Sequence, residues 1–278
     1  MKLSAEVLKI DSEFVEERIL KFIRARVIGT GFSGVVIGLS GGVDSSVTAA
    51  LCVKALGSDK LLGLMLPERD SDPNDAKDAI KLAEQFKIPY EIVDITSIVD
   101  AYLNTFPKDA TDSPTVVGNV KARIRMVTLY YYANNLRRLV VGSSNKSEIL
   151  VGYFTKFGDG ASDILPIGDL YKTQVRHLAR HLGIPEEIIQ KNPSAGLWKG
   201  QTDESEIGVS YNVLDLILYG LEHWMNESEI AHELNMSLGK VNKIVEMWRK
   251  SEHKRKFPVI FKLSHRTPSL DWRVPLNY

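Results

Sequence analysis

Cysteine is nearly absent from this chain of 278 residues: Cys52 is the single one, so neither an intramolecular disulfide nor a cysteine zinc site can form. Net charge is absent too. Thirty-five basic residues balance 35 acidic ones, so no global field draws the chain onto nucleic acid or anionic lipid, and partners must be recognised locally. No stretch approaches the ~20 apolar residues of a membrane helix. The N-terminal segment MKLSAEVLKIDSEFVEERIL is amphipathic and carries acids throughout, unlike a signal peptide. A cytoplasmic protein with no membrane and no nucleic-acid partner is the expectation.

What is present is an alternation of short apolar runs and amphipathic stretches, with 44% hydrophobic residues to bury. Residues 5–29 have helical spacing. Val35–Leu39, Leu61–Leu66, Tyr90–Ile95 and Leu139–Gly142 read as strands. Helices are expected over 47–56, 74–87, 98–106 and 120–136, with a Pro/Asp-rich loop at 107–117. Strand–helix alternation predicts an α/β fold: a doubly wound, mostly parallel sheet with helices on both faces. Beyond residue 170 the chain reads as largely helical, with a polar loop near 192–206. We expect one domain over 1–278, with its core at about 30–190 and a helical extension at about 207–255.

The most informative segment is Gly38-Leu39-Ser40-Gly41-Gly42-Val43-Asp44-Ser45-Ser46, between the first strand and a helix. Its glycines allow a sharp turn and close approach of a ligand, and amides at the helix start with three hydroxyls make an anion site. No Gly-Lys-Ser/Thr follows, so this is not a Walker loop. A bland glycine turn leaves Asp44 unexplained. An acid beside phosphates is repulsive unless a cation such as Mg²⁺ lies between them.

SGGVDS after a strand resembles the phosphate loop of the ATP pyrophosphatase family, and the rest of the chain resembles its NAD synthetase members. Four further stretches carry the likeness: Gly118–Met126, Gly142–Glu148, Phe154–Asp163 with Asp169–Lys172, and Pro193–Glu206; Glu252–Arg255 adds a His-Lys pair. The resemblance implies ATP as co-substrate bound by Gly38 to Ser45 of the loop and by Ser143, Lys172 and Ser194. It implies Mg²⁺ on Asp44 and Glu148, and deamido-NAD on Arg123, Lys156, Asp163, His253 and Lys254. Lys172 would offset charge on the pyrophosphate leaving group, and Asp159 is a candidate for the ammonia pocket. Ser143 replaces the family's more usual threonine, and Gly196 stands where some relatives carry an acid. The implied reaction adenylates deamido-NAD and amidates it with ammonia, giving NAD, AMP and pyrophosphate.

Glycines 196 and 200 among polar residues suit a hinged lid over 193–206. Ile124, Met126, Val127, Leu129, Tyr130 and Tyr131 give helix 120–136 an apolar girth wide enough for both the sheet and a two-fold partner, so a homodimer is expected. Some NAD synthetases draw ammonia from glutamine with a fused glutaminase domain. Cys52 has no base beside it and the likeness runs to residue 255, so free ammonia is the expected donor unless a separate subunit supplies it.

Other readings compete. Residues 228–249 mimic a helix-turn-helix followed by basic residues 254–256, but the neutral charge lacks a basic footprint. A nucleotide sensor needs no metal clamp of the kind Asp44 and Glu148 suggest. A tRNA thiolase would want cysteines, and the remaining GMP synthetase motifs are not found. His177 and His181 stand at i, i+4, but Arg176 and Arg180 beside them disfavour a metal.

Overall fold

The computed structural model describes residues 1–107, 113–268 and 271–272. Four strands form one parallel sheet: β1 (Val35–Gly38), β2 (Leu61–Met65), β3 (Tyr90–Ile92) and β4 (Leu139–Val141), in the order β3-β2-β1-β4. The register sets Val35 opposite Leu61 on one side and Leu139 on the other. The chain adds β2 and β3 to one side of β1, then crosses to place β4 on the opposite side. The carboxyl ends of β1 and β4 therefore flank the switch point, the crevice where doubly wound sheets bind ligands.

Both faces of the sheet are covered, which is why its central strands read as unbroken apolar runs. Successive side chains of β1 point to opposite faces. Val35 and Ile37 pack in one cluster with Ile19, Ile23 and Val27 of helix Ser12–Ile28, Val47 and Leu51 of helix Val43–Leu56, and Val175 and Leu178 of helix Lys172–His181. Val36 turns the other way, with Leu62, Leu64 and Val140, onto Ile124, Leu129 and Ala133 of helix Pro114–Leu136.

A second core lies outside the sheet. Helices Tyr211–Glu222, Glu227–Glu233 and Leu238–Lys250 bury Leu214, Ile217, Ile230, Val241 and Ile244 together. The helix-turn-helix look-alike is thus a packing unit: its apolar periodicity faces helix Tyr211–Glu222. Leu3 and Leu8, from the start of the chain, complete this core.

Several boundaries differ from expectation, each for a local reason. The single helix expected over 5–29 is broken: a 3₁₀ turn Ala5–Leu8 precedes a helix that starts at Ser12, because the Asp11 carboxylate caps it by accepting from the Phe14 amide at 3.1 Å. The helix expected from 120 begins at Pro114. Ser113 accepts the Val116 amide at 3.3 Å and proline suits the first turn, so part of the expected 107–117 loop is helical. Residues 108–112 of that loop lie outside the described residues. The helix expected from Val47 begins at Val43, directly on Gly42. Within the polar loop, Asp203–Ile207 is a helical turn.

Ile37 is 1% exposed at the centre of the sheet. Ile37→Ala is expected to destabilise the fold by about 3 kcal/mol, read as a lower urea midpoint with unchanged slope.

Candidate functional site

β1 delivers the chain to the switch point, and Gly41 turns it. Its φ of 74° is left-handed, and a Cβ there would stand 2.2 Å from the Asp75 carbonyl oxygen. No side chain fits, for reasons of both backbone and space. Gly42 then begins helix Val43–Leu56 as an N-cap without a capping side chain. The first-turn amides are left to a ligand and sit at the positive end of the helix dipole. The serines brace the loop: Ser40 Oγ and Ser45 Oγ are 3.1 Å apart, and Ser46 Oγ donates to the Gly42 carbonyl at 2.8 Å.

Because the helix starts at Val43, Asp44 occupies its first turn rather than a free loop. Asn145 and Glu148 come from the other side of the crevice, where they form a capping box on helix Lys146–Val151 just after β4. The Asn145 amide group donates to Asp44 Oδ1 at 2.9 Å across the two segments. Lys172, at the start of helix Lys172–His181, places its ammonium between the two acids. It pairs with Asp44 Oδ2 and lies 3.0 Å from Glu148 Oε1. The Lys172 side chain is 3% exposed and those of Asp44 and Glu148 are 15% exposed.

Two more groups close the cluster. The Tyr211 hydroxyl lies 3.0 Å from Asp203 Oδ2 and 3.4 Å from Glu148 Oε1, and its ring centroid is 4.9 Å from Lys172 Nζ. Asp203 Oδ1 is buried without a hydrogen-bond partner. Two carboxylates thus share one ammonium, and the third, Asp203, adds its charge nearby. Burial, with the charges of Asp44 and Asp203 adding to it, pushes the Glu148 carboxyl up to about 7 against the pull of Lys172. Burial also raises the Asp203 carboxyl. The Lys172 ammonium is held above its ordinary range by Asp44 and Glu148, which outweigh its burial.

This surplus of negative charge is the test of a cation. Asp44 and Glu148 are hard oxygen donors that converge on one point, as a magnesium ion requires. Among the described residues no group of three or more His, Cys, Asp or Glu could hold a metal unaided. The set fits Mg²⁺ of the kind that draws its remaining ligands from phosphate and water.

The other residues singled out from the sequence form a second group. Arg123 donates to the Lys156 carbonyl at 3.3 Å, and Lys156 Nζ donates to the His253 carbonyl at 2.6 Å. Lys254 donates to the carbonyls of Gly152 and Phe154 at 2.7 and 2.8 Å, and Asp159 accepts the Thr155 amide at 2.8 Å. All five ring the loop after helix Lys146–Val151. Asp163 stands apart: its carboxylate accepts the Val140 amide at 2.7 Å and faces the Tyr130 hydroxyl at 3.3 Å, so it pins the start of β4. Ser143 is half-buried beyond β4, and Ser194 is exposed, with its hydroxyl bonded to the Gly196 amide at 3.1 Å.

Reading the sequence missed Asn145, Asp203 and Tyr211 as members of the charge cluster. Asn145 passes for an ordinary helix cap, and it is one; its amide does a second task. It also missed Lys121, 3% exposed as a residue, whose ammonium lies 2.6 Å from Glu68 and 2.8 Å from Asp70. Lys121 also donates to the Leu197 carbonyl at 3.2 Å, and a Cβ on Gly118 would press on Leu197 at 3.0 Å. Together they seat the 193–202 loop on helix Pro114–Leu136.

Fold and loop together define the class: a doubly wound α/β protein with an anion-receiving loop and a lysine–carboxylate cluster at the switch point of its sheet. The model of the NAD synthase family matches residues 15–258, and the chain belongs to that family. It is 51% identical over 247 residues to the NH(3)-dependent NAD(+) synthetase of Methanocaldococcus jannaschii, covering 88% of this chain and 95% of that one. It is 47% identical over 251 residues to the protein of the same name from Pyrococcus horikoshii, covering 90% and 95%. Among solved structures it resembles the NMN synthetase of Francisella tularensis, with a TM-score of 0.81, 35% identity, and coverage of 92% of this chain and 100% of that one. It also resembles the NH3-dependent NAD synthetase of Campylobacter jejuni, with a TM-score of 0.78, 32% identity, and coverage of 91% and 100%.

The raised carboxyl of Glu148 has a stability consequence. Between its ordinary value of 4.5 and about 7, the native state holds a proton that the unfolded chain has lost. Stability linked to this group is therefore present at low pH and falls as pH rises through that window. Glu148→Gln is expected to shrink the fall, measured by denaturant titration from pH 5 to 8 without nucleotide. An identical pH slope in both proteins would refute the assignment.

Proposed function

We propose that the chain amidates deamido-NAD to NAD with ammonia, using ATP and releasing AMP and pyrophosphate. The observation that carries this reading is the Lys172–Asp44–Glu148 cluster against the uncapped start of helix Val43–Leu56. Family membership and the names of the relatives at 45–51% identity support it. The nicotinate carboxylate attacks the α-phosphate of ATP, a P–O bond forms, and the bond to pyrophosphate breaks. Pyrophosphate leaves toward the Ser40–Ser46 loop, whose amides receive it, while Lys172 turns its charge onto the leaving phosphates. Ammonia then attacks the acyl carbon of the mixed anhydride, AMP leaves with the former carboxylate oxygen, and the surplus ammonium proton is released. Asp44 and Glu148 would hold Mg²⁺, which supplies charge neutralisation at the phosphates. Arg123, Lys156, Asp163, His253 and Lys254 are assigned to deamido-NAD, Ser143 and Ser194 to ATP, and Asp159 to the ammonia pocket.

We also propose a homodimer working in the cytoplasm, where ATP and magnesium are supplied. Val127 and Tyr131 on helix Pro114–Leu136 are 61% and 65% exposed, and Ile92 on the edge strand β3 is 52% exposed. This apolar surface suits a two-fold partner. No helix among the described residues is long and apolar enough to cross a membrane.

Incubation with ATP, Mg²⁺, ammonium and deamido-NAD should yield NAD, AMP and pyrophosphate together. The mononucleotide analogue of deamido-NAD is the competing substrate, since one similar structure is an NMN synthetase; a higher kcat/KM for the mononucleotide would overturn the choice of dinucleotide. Asp44→Asn should keep the fold and lose at least about 100-fold in turnover, as when one charge-stabilising group is removed. Cys52 is fully buried and its thiol is pushed up to about 12, so it cannot act as a thiolate nucleophile. Cys52→Ala should retain ammonium-dependent synthesis in the folded protein, while loss of turnover without loss of structure would assign Cys52 a chemical role.

A further inference from the structure

Helix Tyr211–Glu222 belongs to the second core, and one stripe of polar side chains on it, with Glu222 at its half-exposed end, also reaches the residues of the site. The stripe is Tyr211, Asp215 and Glu222, at spacings of four and seven that place them on one side of a helix. Each touches both halves of the cluster, residues 146–148 after β4 and residues 171–173 at the next helix start. Glu222 accepts from Lys146 Nζ at 2.8 Å and from the Tyr171 hydroxyl at 2.6 Å. Asp215 accepts from the Ser147 hydroxyl at 2.5 Å and from the Thr173 amide at 2.8 Å. Ser147 Oγ in turn accepts the Lys172 amide at 2.9 Å. Tyr211 reaches Glu148 with its hydroxyl and Lys172 with its ring.

Asp215 is the middle of this arrangement and is fully buried. Its two oxygens are committed, one to each segment, and each bonded residue is the direct neighbour of a charged group of the site. Ser147 precedes Glu148, and Thr173 follows Lys172. A buried carboxylate serving only stability is a poor choice, since an apolar pair avoids its desolvation. Here it caps the start of helix Lys172–His181 and locks that start to the first turn of helix Lys146–Val151 at the same time.

We propose that Tyr211, Asp215 and Glu222 form a positioning strut, with Asp215 as its centre, that sets the Lys172–Glu148 spacing for phosphate binding. None of the three is assigned to touch substrate; Asp215 acts through Ser147 and Thr173. This inference rests on the proposed function only as far as ATP binding, so it can fail separately from the choice of acceptor substrate.

The test is calorimetric titration of ATP with magnesium into the whole chain, beside kcat in the NAD assay. Asp215→Ala should weaken ATP binding about tenfold, the scale of losing a buried charged hydrogen bond, and lower kcat per folded molecule. Asp215→Asn, which keeps an acceptor for the Thr173 amide and a partner for Ser147, should recover most of the loss. In a Lys172→Ala background the same Asp215→Ala change should weaken binding less than about twofold, because the two act through one path. If Asp215→Ala does not fold, Ser147→Ala removes the bridging hydroxyl and carries the same cycle. Unchanged ATP affinity in the folded variants, or an equal loss with and without Lys172, would reduce the stripe to a stabilising role and overturn the proposal. A wild-type chain that does not bind ATP would overturn it together with the proposed function. A wild-type chain that binds ATP with the expected coupling but amidates the mononucleotide would support the strut and refute only the dinucleotide.

Discussion

A single buried ammonium holds the site together. Among the described residues Lys172 is the cation that pairs with Asp44 and Glu148, with Asp203 close by, and each of those acids arrives on a different element. Removing it would leave carboxylates facing one another in a poorly solvated crevice, where repulsion is strong and water cannot screen it. Keeping it leaves a net negative charge and an unpaired oxygen on Asp203. The cluster is therefore left short of both a partner and positive charge, and a cation with a phosphate chain would complete it.

The rest of the fold serves to bring these groups to one point. The sheet does so by topology: β4 sits beside β1, so the loops that follow both strands open onto the same crevice. The phosphate loop does so by backbone freedom, since only a glycine at Gly41 can turn against the Asp75 carbonyl. The second core does so by side chains, through the polar stripe on helix Tyr211–Glu222. A part of the chain that looks like an accessory bundle thus reaches the charged centre directly, and the first residues of the chain, Leu3 and Leu8, help to anchor it.

Much of this was legible in the residues. The central strands were readable because strands covered on both faces must be apolar throughout, and the turn at Ser40–Ser46 because paired glycines with serines mark a sharp entry into a helix. The joining of Asp44 to Glu148 was expected from resemblance, and the two do share Lys172 and Asn145. Helix starts were less legible: Asp11, Ser113 and Gly42 act as caps whose effect depends on the backbone dihedrals at those positions. Asp203, Tyr211, Lys121 and Asp215 gave no local sign of their tasks, because each is paired with residues distant in the chain. Ser147 and Asp215 are 68 positions apart, and Lys121 and Leu197 are 76 apart.

By itself the sequence determined the class of fold, the glycine turn after the first strand and the balance of charge, because these follow from periodicity, backbone freedom and composition, which are local or additive properties. Only the tertiary structure decided which acids share Lys172, which carboxylate is left with an unpartnered oxygen, and that Asp163 pins a strand while Asp215 braces the site. Those are matters of distance and burial, and a carboxylate has the same formula whether it faces water, an amide or an ammonium.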